Sequence, residues 1–346
     1  MNFCNEFKIN NRLISFKEKP FIIAEMACAH NGSINQAKKL IDAAINAGAD
    51  AIQLQFFVAD ETVTPLHEAY QVINEIEFSH EEWKALVYYC RKSNISVFAC
   101  TYDVPSVQLA IETKCDAIKL NSSDLSNPEV LLAVAESKLP ITLGTGASKI
   151  NEIKTGLEFL SEHGSDKIIL MHGVQNFPTE IQDLNILRLD LIKDYFPYIP
   201  VGYADHTSGN DVFSQYVDMI AIGKGVCVLE KHITLDRSKK GIDFEAALEP
   251  EEFKSYVKRV KKSFKALGLK EYDKFSASDL KYRKFQKKSI VANREINKGE
   301  IIDSDCVSFI RNKFPGLAPN LMNLLSGKKA NKNIPKYENI LLEDVQ

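Results

Sequence analysis

Residues 20–57 read PFIIAEMACAHNGSINQAKKLIDAAINAGADAIQLQFF, and the fold turns on this stretch. Phe21 to Ala24 and Ala51 to Leu54 are apolar runs long enough for strands and too short for helices. Between them, Ser33 with Gln36 three residues on supplies a helix start. Ala37, Leu40, Ile41, Ala44 and Ile45 share one face, and Gly48 is the stop. This is the pattern of a βα unit feeding a parallel sheet.

The texture continues to about residue 270. Six further runs follow: Ser96 to Ala99, Ala117 to Leu120, Pro140 to Leu143, Lys167 to Met171, Pro200 to Tyr203 and Val226 to Leu229. Ser79 with Glu82 forms a capping box ahead of Trp83, Leu86, Val87 and Cys90; Asn127 and Pro128 open another helix, and Pro250 with Glu251 and Glu252 the last. Eight strands alternating with helices over ~250 residues meet the requirement of a (β/α)₈ TIM barrel. A doubly wound sheet would have fewer strands and a glycine fingerprint near its first turn. We expect an α/β chain with the barrel over 1–270, a charged linker over 271–287 and a small β-rich module over 288–346. Such a module buries little core by itself and is expected to dock on another surface.

Of the 346 residues, 45% are apolar and 26% charged, as in an average globular protein, and no segment approaches the ~18 apolar residues of a membrane span. The formal charge of -3 gives no basic field for nucleic acid or a membrane surface, so a small or locally recognised partner is expected. The seven cysteines are odd in number, scattered, and never form C-x-x-C, which fits a reducing cytoplasm and neither a disulfide framework nor a cysteine zinc site. The first nineteen residues lack the apolar core of a secretory signal.

In such a barrel the functional groups gather at the C-terminal strand ends, where the loops converge. Those ends carry Glu25, Gln53 and Gln55, Thr101, Lys119 with Ser122 and Asp124, Gly144-Thr-Gly146, His172 and Gln175, Asp205 and His206, and Glu230 and His232. Burying such groups unpaired costs several kcal/mol each, so they pair or bind something. Lys119 paired with Asp124 or Glu25 is the structural alternative. His206 and His232 follow adjacent strands and could share one divalent ion, with Glu25 nearby; two nitrogens plus oxygens suit Mn²⁺. A hydrogen-bonded pair of core histidines is the bland reading. His67, His80 and His163 read as surface residues.

Several strings occur in the right order: Phe21-Ile-Ile-Ala-Glu25, Ala29-His-Asn-Gly-Ser33, Asn46-Ala-Gly-Ala-Asp-Ala-Ile52, Gly202-Tyr-Ala-Asp-His-Thr207 and Glu230-Lys-His-Ile-Thr-Leu-Asp236. Together they resemble the sialic acid (N-acetylneuraminate) synthase family, which includes the legionaminic and pseudaminic acid synthases. The tail Lys288-Ser-Ile-Val-Ala292, Lys298-Gly-Glu300 and Ile310-Arg311 resembles that family's antifreeze-like (SAF) domain. The resemblance implies condensation of phosphoenolpyruvate with an open-chain N-acetylated amino sugar to a nonulosonic acid and phosphate. It implies a divalent metal, Mn²⁺ with Mg²⁺ or Co²⁺ as substitutes, on His206 and His232. It implies a catalytic set of Glu25, Lys119, Glu230 and Asp243, and phosphoenolpyruvate held by Thr101, Lys119 and Ser122. Gln53, Gln55, Asp124 and Gln175 complete the substrate-binding set, and in a domain-swapped homodimer Arg311 would reach the sugar's acyl group.

Relatives usually carry lysine at the place of Gln53, serine at Gly144 and Ala204, and asparagine at Gln175, so anchors for an anionic donor are fewer here. The departures leave two further readings: a pyruvate-dependent aldolase or lyase on the same fold, and a non-catalytic sugar-binding homologue.

Overall fold

The computed structural model describes residues 3–268 and 270–346. The chain divides into two compact units, one ending at Gly268 and the other running to Gln346.

The first unit opens with a hairpin, β1 (Phe7–Ile9) against β2 (Arg12–Ile14), turned at Asn10 with φ of 50°. Eight strands then close into a barrel: β3 (Phe21–Glu25), β4 (Ala51–Phe56), β5 (Ser96–Thr101), β6 (Ala117–Leu120), β7 (Ile141–Gly144), β8 (Ile168–His172), β9 (Val201–Asp205) and β10 (Val228–His232). Each pairs in parallel with the next, and β10 returns to β3. All eight expected runs are strands, shifted at their ends by up to three residues. The helix starts fall where their capping residues stand. Ser33 accepts from the Gln36 N–H and Gly48 ends the helix in the left-handed region (φ 84°), while Ser79 and Glu82 form the full capping box.

Alternation along each strand sorts the side chains into two layers. Ile22, Ala24, Ile52, Leu54, Val97, Ile118, Leu143 and Leu170 face the helices and belong to the main core. Their neighbours Ile23, Ala51, Phe98, Ala117, Ile169, Met171, Ala204 and Val228 fill the barrel interior. Phe7, Ile9 and Ile14 of the hairpin join that interior cluster beside Phe21 and Cys227, closing the barrel at its N-terminal end. The sequence reading did not foresee this plug, although an Asn-Asn pair between Phe7-Lys-Ile9 and Arg12-Leu-Ile14 is a hairpin pattern.

A charged cluster also lies between wall and helices. Lys231 on β10 pairs with Asp205 on β9, its register partner, and at 3.4 Å with Asp218. Tyr203 and Thr207 donate to Asp205 at 3.0 and 2.6 Å, and Tyr256 donates to Asp218 at 3.1 Å. Lys231 and both carboxylates are wholly buried, and the cluster was not anticipated.

The second unit has its own core, including Ile290, Ile296, Ile302, Leu325 and Ile340. β11 (Ser289–Ala292) pairs antiparallel with β12 (Val307–Ile310), and isolated bridges tie in Ile296 to Ile334 and Ala330 to Val345. Residues 271–287, expected as a linker, carry the helix Ala277–Gln286, capped by Ser276 and Asp279 and with no buried residue. No described helix is long and apolar enough to cross a membrane.

Gly202 shows how tightly the barrel interior is filled. A Cβ there would stand 2.9 Å from the Val228 carbonyl and against the Met171 side chain. Gly202→Val is therefore expected to cost about 1–3 kcal/mol through overpacking, read as a lower midpoint in urea denaturation.

Candidate active site

At the C-terminal end of the strands lies a cavity of about 1310 Å³. The interior-facing residues of the strand ends form its floor: Glu25, Gln53, Lys119, His206, Glu230 and His232 all line it. A polar floor follows from the fold, because the residue two places beyond each interior apolar side chain points the same way. Ile23 leads to Glu25, Ala51 to Gln53, Ala117 to Lys119, Ala204 to His206, and Val228 to Glu230 and His232.

Lys119 is bound by Glu230 through both oxygens, at 2.8 and 2.6 Å, with both side chains buried. The partner is thus Glu230, not Asp124 or Glu25. Burial alone would lower the Lys119 ammonium, but the Glu230 carboxylate outweighs it and the net shift is upward. Glu25 accepts from the Ala27 N–H at 2.5 Å and from the Gln53 amide. Burial, reinforced by the charge of Glu230, raises its carboxyl well above the usual range. Gln53 is 1% exposed, and its second amide atom, Oε1, has no partner.

His206 and His232 meet edge to face with ring centroids 5.2 Å apart, under the ring of Phe177 at 4.4 and 5.3 Å. His206 Nδ1–H donates to the Val174 carbonyl at 2.6 Å, leaving Nε2 free. Burial lowers both imidazoles, and the proximity of His206 lowers His232 further, so both are neutral. Neutral imidazoles on adjacent strands are a fitting donor pair for a transition-metal ion. Charge argues the same way: among the described residues the cavity lining has Lys119 as its one cation, against Glu25, Glu152, Glu230 and Asp243. Among those residues, however, no three His, Cys, Asp or Glu side chains form a ready cage. Glu25, engaged by Ala27 and Gln53, does not join the imidazoles, so an ion there would complete its sphere with water or substrate oxygens.

Gln55, Ser122, Gln175 and Asp243 also line the cavity, as expected. Thr101 and Asp124 do not. Cys100 takes the interior position at the end of β5, so Thr101 points outward, wholly buried and with its hydroxyl unpartnered. Asp124 is held by Ser123 Oγ at 2.9 Å and Asn127 Nδ2 at 3.3 Å. Arg311 lies in the second unit, exposed, directly after β12.

His172 bonds the Leu184 carbonyl at 3.0 Å, and His30 is packed between Phe78 and Trp83; both are buried outside the cavity. His67, His80 and His163 are exposed, as read. Sequence reasoning missed Cys28 and Asn121 as lining residues, whereas Phe177 belongs to the loop Gln175 to Thr179 that the sequence already offers as shaping the binding site. The period-two pattern ending in Cys100 could have excluded Thr101. Burial, with Asp243 and Glu25 close by, pushes the Cys28 thiol up to about 12, so it is no thiolate nucleophile.

A model of the NeuB family matches residues 40–272. The chain is 33% identical to an uncharacterised protein of Methanocaldococcus jannaschii, over 98% of both chains. It is 30% identical to the N,N'-diacetyllegionaminic acid synthase of Legionella pneumophila, over 94% of each. Among solved structures, the N-acetylneuraminic acid (sialic acid) synthetase of Leptospira borgpetersenii, crystallised with citrate, superposes with a TM-score of 0.75 at 30% identity. That match covers 82% of this chain and 97% of the other.

Asp243 stands at φ 57°, a left-handed conformation that Asp and Asn tolerate, and burial raises its carboxyl to about 6. A raised acid contributes stability below its unfolded pKa and loses it as pH rises through the folded value. Asp243→Asn is therefore expected to melt at the same temperature as the parent near pH 4 and above it at pH 7–8, in metal-free thermal melts. Parallel melting curves across that range would contradict the assignment.

Proposed function

Because the chain belongs to the NeuB family, we propose that it joins phosphoenolpyruvate to an open-chain N-acetylated amino sugar, giving a nonulosonic acid and inorganic phosphate. The observation that carries this reading is the convergence of a Lys119–Glu230 ion pair, the buried Glu25 and two neutral imidazoles on one cavity floor. Relatives over nearly the full length are named as legionaminic and pseudaminic acid synthases.

Lys119 is the point charge available to an anionic donor, and Glu230 keeps it an ammonium. Ser122 adds a hydroxyl donor beside it, and backbone amides complete the grip that Gln53 and Gly144 do not provide. When C3 of the enol attacks the aldehyde carbon, the aldehyde oxygen takes a proton, for which the Glu25 carboxyl, its affinity for a proton raised by burial, is the donor at hand. The carboxylate left behind then faces the positive charge at C2 until water adds there and phosphate leaves. A divalent ion, Mn²⁺ in our reading with Mg²⁺ or Co²⁺ as substitutes, would be held by His206 and His232 and would supply Lewis acidity to the sugar aldehyde. Gln55, Gln175 and Asp243 remain for the sugar. An ammonium locked to a carboxylate is a poor Schiff-base amine, which weighs against a pyruvate lyase acting through Lys119.

The reading also places the chain in the cytoplasm, supported by the free thiols of all seven cysteines. It includes an SAF-type second unit and a homodimer in which the exposed Arg311 serves the sugar's acyl group.

Phosphoenolpyruvate, Mn²⁺ and a panel of N-acetylated amino sugars are expected to release phosphate in step with a new acid seen by mass spectrometry. His206→Ala or His232→Ala is expected to lower turnover at least about 100-fold, since even outer partners of a metal cost 10–100-fold. Consumption of pyruvate without phosphate release would replace this reading with the lyase.

A further inference from the structure

The two imidazoles are supported unequally. His206 is fixed by the Val174 carbonyl, whereas the His232 imidazole has no hydrogen-bond partner among the described residues. A metal-ligating histidine almost always has such a partner on its second nitrogen. What aims His232 must therefore come from its backbone, and the buried Lys231 cluster sits at that place. Lys231 and Asp205 are register partners on β10 and β9, and each immediately precedes one of the two histidines. Strand alternation turns the first residue of each pair outward and the histidine inward. Thr207, the residue after His206, bonds the same Asp205 carboxylate, so His206 is gripped on both sides. Asp218 and Tyr256 extend the grip on Lys231 to two surrounding helices, Ser214–Gly223 and Pro250–Leu267.

We propose that the Lys231–Asp205–Asp218 cluster is the positioning device for the imidazole pair: by pinning β9 to β10 from outside, it fixes the gap across which His206 and His232 hold a divalent ion. The inference rests on the metal-binding part of the reading above and goes beyond it, since none of these three residues touches the cavity. A stability role alone would be served by any well-packed apolar trio. An ion pair in register is directional and holds one strand offset, which packing of flat apolar surfaces does less sharply.

The test is Mn²⁺ titration of the full chain, followed by the loss of the free-ion electron paramagnetic resonance signal, with folding checked by circular dichroism. The set comprises the parent, Lys231→Met, Asp218→Asn and the near-isosteric Thr207→Val. The folded variants are expected to bind Mn²⁺ about 10–100-fold more weakly than the parent. Nitrogen-15 spectra of the metal-free protein should show the His206 and His232 imidazole signals displaced in the same variants. If Lys231→Met does not fold, Asp218→Asn and Thr207→Val decide the matter. Folded variants that bind Mn²⁺ within twofold of the parent overturn the positioning role. Failure of the parent itself to bind Mn²⁺ overturns the metal reading on which the role rests.

Discussion

The rest of the structure depends on the closure of eight parallel strands into a ring. Closure leaves each strand one face toward the helices and one toward the axis, and the axis is filled by Ile23, Phe98, Ile169, Met171 and Val228. Nothing remains above that apolar layer but the ends of the strands. Any polar residue placed two positions further on is delivered to the same small floor. Eight unremarkable local choices thereby become one chemical constellation, without any loop having to find it.

That floor is held in a deliberate imbalance. Carboxyl groups outnumber cations, so the burial cost is met in three separate ways: pairing at Lys119–Glu230, a tighter hold on the proton at Glu25, and neutrality of the two histidines. Each leaves the cavity able to accept positive charge, either as a bound ion or as charge that develops during a reaction. Gln53 belongs to the same balance. An amide beside Glu25 donates without adding charge, while its own buried oxygen is left without a partner.

The barrel was legible because its signals are local and repeated. The eight apolar runs and the caps at Ser33, Ser79 and Asn127 were enough to place strands and helices within three residues. The candidate site was legible to the extent that strand parity was respected. Lys119, His206 and His232 lie on the inward parity, whereas Thr101 was chosen by its position at a strand end and lies on the outward one. Pairing was harder to read. Lys119 and Glu230 are 111 positions apart, and only ring closure makes them neighbours. The Lys231 cluster was hidden for the same reason, its partners coming from three elements, and the hairpin plug was overlooked because six strand residues carry little weight beside a barrel.

The hairpin nevertheless shapes traffic through the molecule. With Phe7, Ile9 and Ile14 stoppering the far end, the barrel axis offers no passage out of the cavity on that side. Reactants and products therefore come and go on the side of the C-terminal strand ends. The direction of traffic is thus set by the shape of the container before any affinity is considered.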